Sequence, residues 1–380
     1  MRRVLLVILF LISLDAQEVS QYLDTCNPKE DTCKILGQSL QEAMSAYRQH
    51  NFPKAIERFE KLLAVSRKNN LEPAHFYNNL GLTYHYNKQY NKALEYFNKN
   101  LVYEEQKKEK KNRKSLISVY NNMGLAYRAK KEIKRAVESV KKGLSLALEV
   151  GEKFQISDEY NRVGIMLRAN KEYTKAIEYY QKSIDIKIKE IPKDYPMILG
   201  VYSDIVGSYQ DMKEYDKALS VNKKILKIEQ KIYPREHPKI LDRYLIIGYL
   251  NVQKKDYDSA MKAYNKTLKL AISRVGEDTP IIANKIYIPM AQVWREKEEF
   301  DKSIEFYNKA LIIYKKSFSK EHPTIATTYN SLGVLYKIKG NDKRAMEYYS
   351  KALPIAKKSF DNNHKIIQMI LDNIELVKTQ

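Results

Sequence analysis

The stretch AHFYNNLGLTYHYNKQYNKALEYFNK, residues 74–99, decides the fold of this chain. Its apolar residues recur every three or four positions on both sides of a polar turn at 87–89. This spacing predicts two amphipathic α-helices joined into a hairpin. Gly81 precedes a second small residue, Ala93, by twelve positions. We expect the two helices to cross at this pair, because only small side chains allow two backbones to approach closely.

The same pair recurs eight times between Ser39 and Leu353, at intervals of 38 to 43 residues. The pairs are Ala43/Ala55, Gly81/Ala93, Gly124/Ala136, Gly164/Ala176, Val206/Ala218, Gly248/Ala260, Ala291/Ser303 and Gly333/Ala345. A tyrosine stands four residues before the small residue in seven copies. A period of this length indicates a repeat protein in which each hairpin buries its apolar face against its neighbours. We interpret the tyrosines and Trp294 as packing residues.

These recurring positions together resemble the tetratricopeptide repeat over residues 37–355. The period near 42 residues and the His322-Pro323 step before a first helix resemble the kinesin-light-chain type of this repeat. The resemblance implies an all-α fold: an α-α superhelix, or tetratricopeptide solenoid, of about eight helix-turn-helix repeats with a C-terminal capping helix. It also implies a concave groove, lined by the first helices, that binds a protein. Pro289 lies inside the seventh first helix, where we expect a kink.

The N-terminus has the layout of a secretory signal peptide, with a basic start followed by the apolar run Val4–Leu14. The run is shorter than the roughly 20 residues of a membrane span, so we expect no span after cleavage. The predicted segments are a signal peptide (1–17), a linker with Cys26 and Cys33 (18–36), the repeat array (37–363) and a capping helix (364–380). We therefore expect a secreted or periplasmic protein; the alternative is an N-terminally membrane-anchored one.

Cys26 and Cys33 are the two cysteines of the chain, and both follow the predicted signal peptide. Pro28 argues against a helix between them, so the chain has room to fold back and close a disulfide in an oxidising compartment. Two unrelated thiols are the alternative. We expect no metal site here, because two cysteines without a nearby histidine supply half of a ligand set.

The formal net charge of +21 favours acidic partners or anionic polymers. Lysines spread along helices are also typical of an ordinary solvated surface without a ligand. We expect the partner to be a protein or peptide, most simply an acidic one, rather than nucleic acid. The sequence leaves the oligomeric state open.

Two positions of the first helices are candidates for the peptide-binding groove that the resemblance implies. One is an amide three residues before the small residue, and the other is a cationic or histidine side chain four residues after it. The amides are Asn78, Asn121, Asn161 and Asn330, and the cations are His85, Arg128, Arg168, Arg295 and Lys337. Asparagine can pair with a peptide backbone, and arginine with carboxylates. Leu245, Tyr249 and Ile288 predict a more apolar patch over the sixth and seventh copies.

Signatures of catalysis are absent: the chain has no glycine-rich phosphate loop and no Gly-x-Ser-x-Gly or His-Glu-x-x-His motif. His237 and His322 occupy equivalent linker positions, which favours a structural role. We therefore expect no enzyme, no catalytic residues and no cofactor. The function expected is that of an exported scaffold or adaptor. The alternatives are a sensory module that acts through a partner protein, and an anionic-polymer or nucleic-acid binder.

Overall fold

The structure is a computed structural model that describes residues 31–68, 73–107, 112–190, 195–361 and 363–379. Within these ranges the regular elements are helices, and no strand occurs. The chain divides into two compact units, Met1–Asp194 and Tyr195–Gln380. The all-α repeat fold expected from the sequence is confirmed in each unit.

The described part of the first unit is a stack of four antiparallel hairpins. Its helices are α1 (Asp31–Arg48), α2 (Phe52–Lys68), α3 (Ala74–Tyr86), α4 (Tyr90–Gln106), α5 (Arg113–Ala129), α6 (Ile133–Val150), α7 (Lys153–Ala169) and α8 (Tyr173–Glu190). Each odd-numbered helix packs on the even-numbered helix that follows it, and each hairpin packs on the next. Helix α1 begins within the segment predicted as a linker.

The second unit repeats this arrangement and adds the expected capping helix. Its helices are α9 (Tyr195–Asp211), α10 (Tyr215–Ile232), α11 (Pro238–Gln253), α12 (Tyr257–Val275), α13 (Pro280–Ile282), α14 (Ile288–Glu296), α15 (Phe300–Ser317), α16 (Pro323–Ile338), α17 (Asp342–Ser359) and α18 (Lys365–Lys378). A π-helical turn, Ala283–Tyr287, joins α13 to α14. Helix α18 packs on α17 and α16 and so covers the last hairpin.

The π-helical turn lies where we expected Pro289 to kink the helix. Pro289 is the second residue of α14 and has no N–H to donate to the carbonyl four residues earlier. A continuous α-helix therefore gives way to a wider turn just before the proline. The interruption is a local change of helix type rather than a simple bend.

Every hairpin closes with the same turn, in which one residue has a left-handed backbone with φ between 58° and 71°. These residues are His50, Lys88, Lys131, Lys171, Lys213, Lys255, Glu298 and Gly340. The next residue returns a hydrogen bond into the helix, as when the N–H of Gln89 donates to the carbonyl of Tyr84 at 2.9 Å. This is the Schellman closure, which satisfies the last carbonyls of the first helix.

In the five small pairs that contain glycine, the glycine makes room for a large side chain of the second helix, which is an aromatic ring in four of them. A Cβ atom added to Gly164 would lie 2.5 Å from the ring of Tyr180, sixteen residues later, and Gly248 has the same relation to Tyr264. Gly124 faces Val140 in the same way. The glycine is therefore explained by the large side chain four residues beyond the second small residue, because that side chain packs into the space a methyl group would fill.

The tyrosines four residues before the small position are packing residues, as predicted. Tyr202, Tyr244 and Tyr287 are at most 8% exposed. Second-helix lysines cover several of these rings, including Lys224 at 4.7 Å from the Tyr202 centroid and Lys266 at 4.5 Å from the Tyr244 centroid. Such cation–π contacts explain part of the lysine content without a ligand. Trp294 is partly buried against the same core.

The linker histidines cap helices, in agreement with the structural role expected for them. Nδ1 of His322 accepts a hydrogen bond from the N–H of Thr324 at 3.3 Å, and the imidazole stacks on Phe318 at 3.9 Å between centroids. His237 and His364 make the same cap and the same stacking contact, on Tyr233 and Phe360. The aromatic residue that ends the preceding helix thus stacks on the histidine that caps α11, α16 or α18, four positions later.

Two predictions fall on residues outside the described ranges. The signal peptide and Cys26 lie in residues 1–30, and Cys33 lies in α1 at a position where only the backbone is described. The disulfide therefore stays a prediction. Among the helices that the structure describes, none is both long and apolar enough to cross a membrane.

Candidate functional site

Three of the four candidate amides bond to the helices that follow them. Asn78 accepts a hydrogen bond from Nδ2 of Asn122 in the next hairpin at 2.8 Å. Nδ2 of Asn121 donates to Oε1 of Glu159 in α7, also at 2.8 Å. These bonds hold adjacent first helices of the first unit in register.

The two remaining candidate amides are Asn161 in the fourth repeat and Asn330 in the last repeat. In the second unit, Oδ1 of Asn330 accepts from Nδ2 of Asn373 in the capping helix at 3.0 Å. Asn121 and Asn330 are buried, whereas Asn161 is half-buried. Oδ1 of Asn161 has no hydrogen-bond partner among the described residues. The same is true of Oδ1 of Asn121, so two of the four amides keep a buried carbonyl oxygen without a partner among the described residues.

The cationic position brings His85 and Arg128 together in the first unit. The imidazole of His85 packs against Tyr86 and Tyr90, with centroids 5.3 and 5.5 Å away. Burial lowers the pKa of His85, and the positive charge of Arg128 lowers it further. The side chain of Arg128 is exposed and has no carboxylate within ion-pair distance among the described residues. Arg168 occupies the same position in α7 and is half-buried.

The two candidate cations of the second unit, unlike Arg128, are paired with acids. Arg295 donates to Glu296 at 2.9 Å, and Lys337 donates to Asp342 at 3.0 Å. Their positive charge is therefore partly neutralised before any ligand arrives. The basic character of the candidate site is concentrated in the first unit, on a surface we call the basic face: His85, Arg128, Asn161 and Arg168.

The second unit carries the side chains that predicted an apolar patch. Leu245 and Ile288 are half-buried and pack against the core of the unit. Tyr249 is 48% exposed. A single exposed aromatic residue on a first helix is a small apolar surface, well below the size that marks an interface by itself.

Sequence reasoning missed two buried charged residues, Glu159 and Arg243. Glu159 is 3% exposed, and burial raises its pKa to about 6, although Arg162 and the hydrogen bond from Asn121 act in the opposite direction. Arg243 is 7% exposed and donates to Glu229, at 3.1 Å. Both lie five residues before the small residue of their repeat. At this position the other repeats from the second to the eighth have an apolar residue or threonine. A charged residue at an otherwise apolar repeat position was the signal that could have found them.

Within the described ranges, no three His, Cys, Asp or Glu side chains converge as a metal site requires. The arrangement that the structure does offer is a set of cationic and amide groups on stacked helices. Such groups recognise carboxylates and peptide amides by hydrogen bonds and charge.

Comparison with known families identifies the repeat. A family model described as "Tetratricopeptide repeat" matches residues 36–101 and 283–358, and a second model with the same description matches 117–149, 160–187 and 241–271. Together these segments span more than half of the chain. A search of the curated proteins gave no match.

Two solved structures share the fold of this chain at low sequence identity, and a third is similar to it at a lower TM-score. The apo form of the quorum sensor NprR from B. thuringiensis is 16% identical, with 92% of this chain and 96% of that chain covered and a TM-score of 0.52. The C-terminal part of a TPR repeat-containing protein from Cytophaga hutchinsonii is 17% identical, with coverages of 77% and 98% and a TM-score of 0.51. Kinesin light chain TPR-like repeats from Podosopora anserina are 15% identical, with coverages of 54% and 98% and a TM-score of 0.47. At these identities the likeness concerns the fold alone.

Proposed function

Because the chain belongs to the tetratricopeptide repeat family, whose arrays are typically non-catalytic scaffolds for protein binding, we propose that it is an adaptor that captures an acidic segment of a partner protein on its basic face. The observation that carries the proposal is the exposed guanidinium of Arg128 on α5. The charge of Arg128 acts on the imidazole of His85, and no carboxylate of the described residues neutralises it. A carboxylate of a partner would pair with Arg128 through charge-assisted hydrogen bonds.

Binding on this face needs little reorganisation. The bonds from Asn122 to Asn78 and from Asn121 to Glu159 hold consecutive first helices together. The cations that these helices carry are therefore presented at fixed spacing, which reduces the entropy lost when a partner binds. The proposed mechanism is equilibrium binding, without catalysis and without a cofactor.

We also propose that the protein acts outside the cytoplasm. The basic start and the short apolar run of residues 1–17 support export. The mass of the protein recovered from its native compartment tests this, because cleavage removes the first residues. A mass 2 Da below that of the reduced chain would indicate the Cys26–Cys33 bridge, and an uncleaved chain would favour the membrane-anchored alternative.

The binding proposal is tested by cross-linking the protein in its native compartment and identifying the captured partner by mass spectrometry. Arg128→Glu with Arg168→Glu should weaken capture about 100-fold, because each change removes a charge-assisted bond worth roughly 1.5–3 kcal/mol. Lys134→Glu with Lys189→Glu is the matched control, since both lysines are exposed on second helices and the net charge changes equally.

The two double variants separate recognition from general charge. If both lose the partner equally, the basic face is not the site. If affinity for any nucleic acid falls steeply with salt and without regard to sequence, the anionic-polymer alternative is favoured. Circular dichroism and melting should be unchanged in both variants, because none of the four side chains is buried.

A further inference from the structure

Asn121 and Glu159 form a buried contact between the third and fourth repeats. They are 38 residues apart in sequence, and Nδ2 of Asn121 donates to Oε1 of Glu159 at 2.8 Å. Both side chains are more than nine-tenths buried. The bond connects α5 with α7, the two helices that carry Arg128 and Arg168 of the basic face.

The two remaining oxygens of this pair have no hydrogen-bond partner among the described residues. Both face Gly143 in α6: a Cβ atom there would lie 3.2 Å from Oδ1 of Asn121 and 3.6 Å from Oε2 of Glu159. Two acceptor oxygens that share one small space cannot bond to each other without a hydrogen. A proton on Oε2 would let Glu159 donate to Oδ1, which would close a ring of two hydrogen bonds between an acid and an amide.

Gly143 is a further sign that this space is made for the pair. It lies seven residues after the second small residue of its repeat. The side chains at this position in the other repeats from the second to the eighth are Asn100, Ser183, Ile225, Thr267, Ala310 and Ala352. Among these repeats, glycine occurs at this position only in the third, where it faces the buried pair of Asn121 and Glu159.

The charges around Glu159 come from its own helix and from the helices packed on it. On α7, Asp158 lies next to it in sequence, and Nε of Arg162 lies 3.4 Å from Oε1. On α5, Arg113 and Lys114 pair with Glu149 of α6 and with Glu152. On α8, Lys187 pairs with Asp158 at 2.8 Å. Arg162 is thus the cation in contact with Glu159 among the described residues, and burial outweighs it, so that the pKa of Glu159 rises to about 6.

We propose that Glu159 is a proton switch for the basic face: its neutral form closes the two-bond clasp with Asn121 and releases Arg162 toward an acidic partner, and its ionised form holds Arg162 and opposes the charge of that partner. The inference rests on the proposed function. Because the neutral form of Glu159 binds the partner better, the protein takes up a proton at Glu159 when the partner binds. By linkage, the affinity for the partner rises in mild acid.

Calorimetric titration with the peptide acetyl-(Glu-Ser)5-amide tests the switch at pH 7.5 and 5.5. The glutamates of the peptide stay mostly ionised at both values, since their ordinary pKa is about 4.3. The variant His85→Gln serves as the background, so that the imidazole does not contribute to the pH dependence. In this background the dissociation constant should fall roughly fivefold at pH 5.5, as expected when one like charge is removed near a partly exposed site.

Glu159→Gln added to that background should abolish the dependence, because glutamine keeps both bonds to Asn121 and cannot titrate. Glu138→Gln, which changes an exposed carboxylate of α6, is the matched control and should keep the full response. A response that survives in Glu159→Gln overturns the proposal. Proton uptake on peptide binding can be measured in buffers of different ionisation enthalpy. It should disappear in Glu159→Gln and persist in the control variant.

A peptide that fails to bind at either pH overturns the proposed function, and the switch is then decided by melting. Glu159→Gln should raise the melting temperature relative to Glu159 at pH 8 and leave it unchanged at pH 4.5. An equal shift at both pH values would overturn the clasp itself. Hydrogen exchange in α5 and α7 reports the same difference locally if the array does not melt in one step.

Discussion

The two units place a charged side chain at the same point of the repeat and satisfy it differently. Five residues before the small residue, the second to eighth repeats carry a buried side chain. These are Phe76, Val119, Glu159, Val201, Arg243, Ile286 and Thr328. In the first unit, Glu159 keeps one oxygen without a partner. In the second unit, Arg243 donates to Glu229 at 3.1 Å and to the hydroxyl of Ser203 at 3.1 Å.

The difference shows two ways in which a repeat interface tolerates a charge. Arg243 keeps its charge, because Glu229 and Asn222 lie buried beside it and share its donors. Glu159 has weaker support, so its cost of burial falls when it binds a proton. The interface in the first unit should therefore respond to pH, and the one in the second unit should respond to the loss of a partner.

The largest effect is expected for Arg243→Ile, which removes the arginine and leaves Glu229 buried without its counter-charge. Breaking a buried pair in this way costs about 3–5 kcal/mol. Denaturant unfolding followed by hydrogen exchange in α10 and α11 measures the loss. Adding Glu229→Ala should recover most of it, because Ala271 and Ile286 already occupy these two positions in the next repeat interface. If the double variant is as unstable as the single one, the pair is not what holds this interface.

Glu159→Gln tests the other half of the comparison and should stabilise the protein above pH 6. The folded pKa is raised from 4.5 to about 6, so the neutral form is favoured by folding. This contribution is fully present below pH 4.5 and is lost as the pH rises through 6. One and a half pH units correspond to about 2 kcal/mol. The unfolding free energy of Glu159→Gln relative to Glu159 should therefore increase by this amount between pH 4.5 and pH 8.

A flat difference across this range would mean that Glu159 is ionised with an adequate partner in the folded state. The comparison with Arg243 would then lose its basis, because both charges would be satisfied in the same manner. Glu138→Gln, at an exposed carboxylate of α6, should give a flat difference and so calibrates the measurement.

The sequence was sufficient to predict the hairpins, their number and their packing faces, because those follow from residues three and four apart within one helix. The positions of Gly81 and Tyr77 repeat often enough to identify them as packing positions. The capping role of His322 was foreshadowed by its repeat with His237, although the ring that stacks on it was not. All of these relations lie within one hairpin or its linker, so a pattern of nearby residues is enough to predict them.

The interpretation of the amide position shows where this reasoning stops. The offset of Asn121 from Gly124 indicates which side of α5 it occupies. It does not indicate that Glu159, almost one repeat later, lies within hydrogen-bond distance. Contacts between repeats depend on the register of two hairpins, which is set by packing rather than by either helix alone. The binding role of the candidate residues stays a prediction for the same reason.

A smaller loss of stability is expected when a helix cap is removed, because the first helices of the two units begin differently. In the second unit His322 caps α16, whereas the residues before α3, α5 and α7 make no side-chain cap. His322→Ala should cost about 1 kcal/mol, since the N–H of Thr324 loses its acceptor. His322→Asn should retain most of the stability. Thr279→Ala, at a helix start in the same unit without a side-chain cap, should change the denaturant midpoint little.

The smallest effect concerns the turn that both units share, and it is expected to be equal in the two. Lys171 and Lys255 have left-handed backbones with φ of 64° and 61°, which glycine adopts without a steric penalty, as at Gly340. Lys171→Gly and Lys255→Gly should each stabilise by about 0.5 kcal/mol, a strain relief reduced by the greater freedom of glycine in the unfolded chain. Gly340→Lys should destabilise by a similar amount, and thermal melting measures all three. Equal responses at 171 and 255 would locate the difference between the units in their repeat interfaces, because the hairpin turns would then be energetically alike. A response confined to one unit would instead mean that the turns themselves differ.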